Sequence, residues 1–279
     1  MSEYFAWINV DKRERLEMGA FGGSFEAAAP CWVGNYDIDA VCTLLSGRWR
    51  GDTIAYLGDY CTNYWPDESP EALAYRAEES PVFLEYAEDN FEDITGLFVR
   101  ARGLTYAVFT ETDYIEVPYE GPFELEIAHC RYVVNHSKKL FYDRTATPLR
   151  CVAPHGLGIE DTIVRFEPFP ALFTKDSRLR LFCNHKNKQF EKDWVGDFVE
   201  AIDDGVPDGY LDVSSFYDYW DPSLIADDAT IAEAMNSERY KTLVNAGRKQ
   251  TDALKALLPS YVLRGEISEP MDWPAISTC

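Results

Sequence analysis

The stretch WINVDKRERL, residues 7–16, places one asparagine between an apolar run and a charged turn. The same outline recurs as VVNHSKKLFY at residues 133–142 and as FCNHKNKQFE at residues 182–191. Asparagine suits the start of a turn because its side chain can bond the backbone two residues further on. The sequence therefore predicts three β-hairpins, whose turns begin after Asn9, Asn135 and Asn184.

The predicted hairpin tips carry positive charge in a strongly acidic protein. A turn exposes its side chains, so these tips are candidate binding positions. A histidine that directly follows the asparagine also has a simpler interpretation, which is an exposed polar turn residue. The candidate binding residues are Lys12, Arg13, Lys138, Lys139, His136 and His185.

A second motif occurs twice, as WRGDTIAYLGD at 49–59 and as WVGDFVEAIDD at 194–204. A Gly-Asp pair followed by apolar residues is typical of a turn that leads into a buried strand. Large aromatic side chains dominate cores, so we expect Trp49 and Trp194 to be buried in matching structural roles. Hairpin and motif together are expected to form one unit used twice. The spacing between the hairpin asparagine and the motif tryptophan differs between the two expected copies. Forty residues separate Asn9 from Trp49, and only ten separate Asn184 from Trp194.

The second motif also aligns four carboxylates, and these candidate catalytic residues are Asp52, Asp59, Asp197 and Asp204. Two carboxylates brought together can hold Mg²⁺ or act as an acid–base pair. Ordinary turn chemistry explains the same residues without catalysis. Convergence of at least two of them in one cleft would favour an enzyme, whereas dispersal over separate turns would favour a binding protein.

Other catalytic signatures do not occur, since the sequence has no Gly-x-Ser-x-Gly, P-loop, dinucleotide-binding or His-Glu-x-x-His motif. Histidine and cysteine are zinc ligands. The sequence offers His129, Cys130, Cys183 and His185 as one such combination, and Cys151 with His155 as another. Because these spacings match no known ligand pattern, we predict no metal site and assign no cofactor.

Five stretches together resemble the signatures of a widespread family of uncharacterised proteins. They are YFAWINVDKRE, LLSGRWRGDTIAYLGDY, YVVNHSKKLFYD, FEPFPALF and WVGDFVEAIDDGVPDGY. That family shows, in order, a K-K-E-Y-like hairpin, a W-x-G-D-x-I-x-x-x-G-D-Y stretch, an N-H-x-K-K hairpin and a late W-x-x-D strand. The resemblance covers residues 4–60 and 130–212 and implies a fold but no activity. The family's glycine-rich loop is replaced by KDSRLRLFCNHKNKQFEK at 175–192, so the resemblance implies no anion-holding loop.

The composition restricts the classes of partner. A formal net charge of −22 opposes binding to nucleic acid or to anionic membranes. Such a charge either keeps the protein soluble or steers a basic protein partner, and residues 66–93 hold ten acidic residues against a single Arg76. We expect a cytoplasmic location, because the sequence shows no secretory signal, no long apolar span and no disulfide pattern among its seven cysteines.

We predict an α+β fold with a mainly antiparallel, twisted sheet, repeated β-hairpins, peripheral helices and a C-terminal helical segment. A single domain is expected over 1–279, with a β-rich core over about 1–220 and the helical segment over about 221–265. Helices are predicted at 36–47, 68–79 and 82–94, and strands at 104–110, 113–117 and 123–135. The proline-containing stretch 165–173 is expected to be an edge strand or a connector.

Two function classes are consistent with these features. The first is a cytosolic binding protein with an acidic surface, of which an immunity-type inhibitor of a basic toxin would be one example. The alternative is a metal-dependent hydrolase or transferase that uses the repeated Gly-Asp carboxylates. The missing nucleophile–base signature favours the binding class, and the duplicated aspartates keep the enzyme class as an alternative. The sequence does not indicate an oligomeric state.

Overall fold

Two four-stranded sheets dominate the fold of this chain in a computed structural model. The structure describes residues 4–17, 20–21, 32–109, 114–152, 162–175, 183–185, 193–215, 217–219, 233–247 and 250–257. The strands are β1 (Phe5–Asn9), β2 (Glu14–Glu17), β3 (Ile54–Gly58), β4 (Glu92–Asp93), β5 (Thr105–Phe109), β6 (Tyr114–Pro118), β7 (Tyr132–Asn135), β8 (Leu140–Asp143), β9 (Leu149–Val152), β10 (Thr162–Arg165), β11 (Cys183–His185), β12 (Val199–Ile202), β13 (Leu211–Asp212) and β14 (Tyr217–Tyr219). The helices are α1 (Tyr36–Leu45), α2 (Pro70–Glu78), α3 (Phe83–Asn90), α4 (Phe169–Leu172), α5 (Glu238–Asn245) and α6 (Gln250–Leu257). The predicted α+β class with antiparallel-rich sheet is confirmed.

The two large sheets have the same strand order and the same strand directions. The first sheet runs β3-β1-β2-β4 and the second runs β12-β7-β8-β13. In each, a hairpin forms the centre, a later strand pairs antiparallel with its first strand, and a two-residue strand pairs parallel with its second. Two of the three predicted hairpins are therefore observed, after Asn9 and after Asn135.

Strands β1 and β3 of the first sheet are buried on both faces, which explains why both are almost entirely apolar. All five residues of β1 and all five residues of β3 are buried. Trp7 and Tyr56 point into a large core that α1 and α4 share with the second sheet. Ile8 and Leu57 point the other way, into a smaller core built with α2 and α3. A strand that is buried on both faces needs a continuous apolar run rather than alternation.

Local capping sets the starts of the helices. The Asn35 side chain accepts hydrogen bonds from the backbone at the start of α1, and Ser69 does the same for α2, where Pro70 occupies the first turn. Proline also marks the start of α4, since Pro168 is its N-cap and Pro170 lies in its first turn, where no backbone N–H is needed. Residues 169–172 therefore form a short buried helix instead of the predicted edge strand or connector.

The predicted strand over 123–135 is observed only from Tyr132 onward. Phe123, Leu125 and Ile127 pack against the core at every second position, as the alternation predicted. Their backbone, however, bonds the short 3₁₀ turns at Thr95–Leu97 and Val99–Ala101. Such turns offer no extended row of partners, so this segment does not form a ladder.

The chain divides into two compact units, and their limits are Met1–Pro148, Pro154–Ile159 and Val164–Trp220 for the first, and Leu149–Ala153, Glu160–Ile163 and Asp221–Cys279 for the second. The expectation of a single domain over 1–279, with a core to about 220 and a helical segment over about 221–265, stays a prediction. Within the second unit, α5 and α6 lie in the predicted helical segment. Gly247, at φ 83°, ends α5 with a left-handed residue, a conformation that glycine adopts without steric cost.

The described residues also form three two-stranded sheets, which pair β5 with β6, β9 with β10 and β11 with β14. Asn184 and His185 lie in β11, opposite Asp218 and Tyr217. Their side chains and residues 186–192 lie outside what the structure describes, so the third predicted hairpin is untested. No helix in the described part of the chain has the length and apolar character of a membrane span.

Candidate functional site

In the first sheet, the predicted hairpin and the W-x-G-D turn are joined by one cluster of side chains. Asn9 Nδ2 donates to Asp52 Oδ2 over 2.8 Å, and Asn9 Oδ1 accepts from the Lys12 backbone N–H over 2.9 Å. The Lys12 ammonium also bonds Asp52. The buried Asn9 therefore closes its own turn and binds Asp52 at the same time. The Asp52 carboxylate is also paired with the Lys12 ammonium.

The second sheet contains the same cluster, built from Asn135, Lys138 and Asp197. Asn135 Nδ2 donates to Asp197 Oδ2 over 2.7 Å, and Asn135 Oδ1 accepts from the Lys138 backbone over 2.9 Å. The Lys138 ammonium again bonds the aspartate. The expected pairing of Asn184 with the second W-x-G-D motif is therefore wrong, because the Asn135 hairpin, 59 residues before Trp194, takes that place.

Trp49 and Trp194 are fully buried in matching positions. The backbone N–H of Trp49 donates to Leu44 O at the end of α1, and that of Trp194 donates to Leu172 O at the end of α4. The indole nitrogens differ. Trp49 Nε1 donates to Glu14 Oε2 over 2.7 Å, whereas the described residues provide no partner for Trp194 Nε1.

The difference between the two tryptophans originates in the hairpins. Glu14 pairs with Asn9 across the first hairpin, and Leu140 pairs with Asn135 at the equivalent place in the second. Burial alone would raise the pKa of Glu14, but hydrogen bonds from Arg48 and Trp49 outweigh it and hold the pKa below its ordinary value. Leucine offers no acceptor at this position.

The four candidate aspartates are dispersed over separate turns. Asp52 and Asp59 flank β3, and Asp197 and Asp204 flank β12, so each pair lies at opposite ends of a strand. Asp59 closes the end of the first sheet, since its Oδ1 accepts from the Tyr4 N–H and its own N–H donates to Tyr4 O. Asp204 is exposed after β12. Asp52 and Asp197 are the two that contact a hairpin, and each bonds the asparagine and the lysine of that hairpin's turn.

The basic hairpin tips are mostly engaged within the molecule. Lys12 and Lys138 hold aspartates, and the Arg13 guanidinium bonds the Tyr86 hydroxyl. Arg13 and Lys139 adopt left-handed backbone conformations, with φ of 54° and 53°, which let each four-residue turn close. Lys139 is exposed. These positions therefore stabilise the hairpins, and Lys139 is the tip residue with the freest access to a ligand.

The candidate His136 belongs to a contact between the two sheets. Its Nε2 lies 2.7 Å from Glu200 Oε1, and its Nδ1 lies 2.9 Å from the Tyr210 hydroxyl. The other Glu200 oxygen bonds Arg50, from the first W-x-G-D turn. Beside this pair, the Gly51 N–H donates to Val199 O. His136 thus helps to dock the first turn onto β12.

A buried ionic network that the sequence did not reveal lies in the large core. Arg144 Nε bonds Glu167 Oε2 over 2.6 Å, its Nη2 lies 2.8 Å from Asp39 Oδ1, and its Nη1 donates to Cys130 O. Tyr142 donates to the second Glu167 oxygen over 2.7 Å. Burial would lower the pKa of Arg144, but the neighbouring Glu167 and Asp39 carboxylates more than reverse this and raise it well above its ordinary value.

The buried network reaches the surface at His129. The Nδ1 of this exposed imidazole lies 2.5 Å from the second Asp39 oxygen. An ionised carboxylate only accepts, so Nδ1 carries a proton toward Asp39. Within the described residues, no hydroxyl or thiol is bonded to the imidazole as a nucleophile would be, and burial raises the pKa of the neighbouring Cys130 thiol.

The other zinc-type ligands do not assemble in the described part of the chain. Cys42 and Cys130 are buried thiols that form no disulfide, and burial raises the pKa of Cys42 well above its ordinary value. A thiol of this kind is a poor nucleophile and a poor metal ligand. No group of three or more histidine, cysteine or acidic side chains in the described ranges is arranged to hold a metal ion. The side chains of Cys151, His155, Cys183 and His185 lie outside those ranges.

Comparisons with protein-family models, with curated proteins and with solved structures found no match. The resemblance to the uncharacterised family stays an expectation from the sequence. The surfaces and side chains described above are therefore the basis on which a function can be proposed.

Proposed function

We propose that this protein binds a basic protein partner through an acidic surface, and that it belongs to the class of cytosolic binding proteins of which immunity-type inhibitors are an example. The single observation that carries this proposal is the acidic face formed by α2, α3 and their flanking residues, called the acidic helical face below. It is defined by its exposed carboxylates, which are Glu68, Glu71, Glu78, Glu79, Glu85, Glu88, Asp89 and Glu92.

The charges on the acidic helical face lie close enough to act on one another. Although Glu88 as a whole residue is exposed, partial desolvation of its carboxyl group raises its pKa, and the carboxylates of Glu85 and Asp89 raise it further. The hydrogen bond from the Tyr75 hydroxyl to Asp89, over 2.8 Å, raises the pKa of Tyr75 to about 12. Like charges held together favour a cationic partner, which relieves their mutual repulsion.

The acidic helical face has a rigid base. On their inner side, Phe83, Tyr86 and Phe91 pack together and against the apolar side chains of β1 and β3. The capped start of α2 and the aromatic packing of α3 fix the backbone that carries the carboxylates, so little backbone entropy is lost when a partner binds. A pre-organised charged surface raises association rate and selectivity more than final affinity.

The alternative of a metal-dependent hydrolase or transferase has less support. Asp52 and Asp197 are each bonded by a lysine and an asparagine, and Asp59 bonds the backbone of Tyr4. A carboxylate that already neutralises a lysine is a weak ligand for Mg²⁺. The dispersal of these aspartates over separate turns favours the binding class.

Two further parts of the proposal concern origin and location. The matched Asn–Lys–Asp clusters and strand orders support an internal repeat, in which both sheets derive from one duplicated unit. The thiols Cys42 and Cys130, which form no disulfide, support the cytoplasmic location, where thiols stay reduced. Nucleic acid is not proposed as a partner, because its phosphates would meet mostly carboxylates.

A pull-down from lysate tests the proposed function. The wild-type protein should capture a basic protein at low salt and release most of it at about 0.5 M salt, where the Debye length falls to a few ångström. A test variant neutralises four residues of the acidic helical face by Glu71→Gln, Glu78→Gln, Glu79→Gln and Glu85→Gln. A control variant of equal net charge carries Asp203→Asn, Asp208→Asn, Glu233→Gln and Glu238→Gln.

The two variants separate a specific surface from bulk charge. We expect the test variant to lose the partner and the control variant to keep it. Capture of nucleic acid, or of an acidic protein whose binding ignores salt, would overturn the proposal. Equal loss in both variants would show that total charge, rather than this face, is responsible.

A further inference from the structure

Strands β5 and β6 form a two-stranded ribbon that belongs to neither large sheet. Tyr106 lies opposite Val117 and Val108 lies opposite Ile115, so these four residues share one face of the ribbon. That face is entirely apolar, and Tyr106, Val108 and Ile115 are 38%, 37% and 55% exposed. A two-stranded hairpin alone is at best marginally stable in water. A third strand would therefore stabilise this ribbon.

The two outer edges of the ribbon are not equivalent. The Tyr119 N–H donates to Leu104 O over 3.1 Å. From this pair onward, hydrogen-bonded and non-hydrogen-bonded residue pairs alternate along the antiparallel ribbon. The outward-facing backbone groups are consequently those of Thr105, Ala107 and Phe109 on β5, and of Tyr114, Glu116 and Pro118 on β6. Proteins block open edges with proline and charge, and β6 has both. The β5 edge has neither, and no described residue bonds its outward backbone groups.

Charge decides what kind of strand fits this edge. Residues 103–130 contain six acidic residues and no lysine or arginine. A second copy of the ribbon would bring these acids together, which disfavours self-pairing. On the face opposite the apolar one, Glu116 lies across from the small Ala107. A long basic side chain on a strand beside β5 can therefore pass over Ala107 toward the Glu116 carboxylate, since neighbouring strands lie only about 4.8 Å apart.

We propose that the outer edge of β5 is a docking site that takes an extended basic segment of a partner protein as a third strand. The segment's apolar residues extend the face of Tyr106 and Val108, and its lysines or arginines lie on the side of Glu116. Main-chain bonds to Thr105, Ala107 and Phe109 supply affinity, and the alternating side chains supply specificity. The inference rests on the proposed function, because it names a docking site for the same basic partner.

A synthetic peptide tests the edge directly. The probe is a fluorescein-labelled, blocked peptide of alternating lysine and valine, seven residues long, titrated by fluorescence anisotropy. We expect it to bind at least about tenfold more tightly than the same peptide with glutamate in place of lysine. In amide hydrogen exchange, the outward amides of Thr105, Ala107 and Phe109 should gain protection, while the inward amides of Tyr106 and Val108 change little.

Two substitutions at one position provide a matched pair. Ala107→Pro removes an outward N–H without removing a bond of the hairpin ladder, and we expect it to weaken peptide binding at least about tenfold. Ala107→Thr keeps the N–H and suits a strand, so it should bind within about twofold of the wild type. The exchange experiment on the wild type needs neither variant and therefore does not depend on how they fold.

The outcomes separate this inference from the proposed function. Peptide binding that protects amides of the acidic helical face but leaves β5 unchanged, or equal binding by Ala107→Pro and the wild type, would overturn the edge site alone. A dimer in sedimentation that Ala107→Pro dissociates would replace the basic segment with a second copy. A different result would contradict the proposed function, namely a pull-down that captures no basic protein in a salt-sensitive way.

Discussion

Replacing each buried tryptophan by phenylalanine tests the one chemical difference between the two sheets. Trp49→Phe and Trp194→Phe remove the same atoms from two fully buried sites, so their packing losses should be similar. The polar terms differ. Trp49→Phe deletes a hydrogen bond to the Glu14 carboxylate, worth about 1.5–3 kcal/mol, whereas Trp194→Phe deletes a buried donor whose desolvation costs about 1–3 kcal/mol.

The free energy of unfolding should therefore fall further for Trp49→Phe, by about 2 kcal/mol or more. Urea titration followed by far-ultraviolet circular dichroism gives both values, provided that the m-value is unchanged. A double-mutant cycle with Glu14→Leu, which removes the acceptor, should recover a coupling energy of similar size, and a cycle of Trp194→Phe with Leu140→Met should give almost none. Equal losses for the two tryptophan variants would refute this reasoning, as would a larger loss at Trp194.

Truncation of either tryptophan to alanine should cost about 3–5 kcal/mol, and a thermal melt that barely moves for both variants would contradict their core role. Arg144→Met should cost about 3–5 kcal/mol in a thermal melt, because it removes the guanidinium that the buried Asp39 and Glu167 carboxylates share; adding Glu167→Gln should recover part of the loss, and a further equal loss would argue against it. The folded-state pKa of Glu14 is held below its ordinary value despite burial, so its contribution is complete above about pH 4.5 and is lost as pH falls through the lowered pKa. Glu14→Gln should consequently flatten the acid side of the melting-temperature profile, and an unchanged profile would argue against that role. Lys139→Gly should stabilise the protein by about 1 kcal/mol in urea titration, because glycine adopts a positive φ without strain; no gain would mean that the turn tolerates lysine fully.

The parts of this fold that the sequence predicts are those specified by neighbouring residues. Asparagine-headed turns, the capped helix α1 and the strands of the ribbon all follow from patterns a few residues long. The partner of the second W-x-G-D turn does not, because Asn135 and Asp197 meet across 62 positions. The chain offers two similar asparagines for that place, and turn chemistry alone cannot choose between them.

The buried network cannot be predicted from the sequence for a related reason. Asp39, Arg144 and Glu167 stand far apart in the chain, and each resembles an ordinary surface residue in its local context. Only the packing of α1, β8 and the segment before α4 brings them together. The segment 123–131 shows the opposite error, since its alternation predicts burial correctly and a strand ladder wrongly.

The placement of the two large sheets along the chain has a consequence during synthesis. All strands of the first sheet lie between Phe5 and Asp93, and all strands of the second lie between Tyr132 and Asp212. The ribosome therefore delivers one whole sheet before the first strand of the next emerges, and domains in general fold from the N-terminus during translation. The nascent first sheet can pair its strands at once, but it must wait for α4 and Trp194 to cover the Trp7 side of its core. Until then that face is the nascent chain's exposed apolar surface, and it is where a chaperone would be expected to bind.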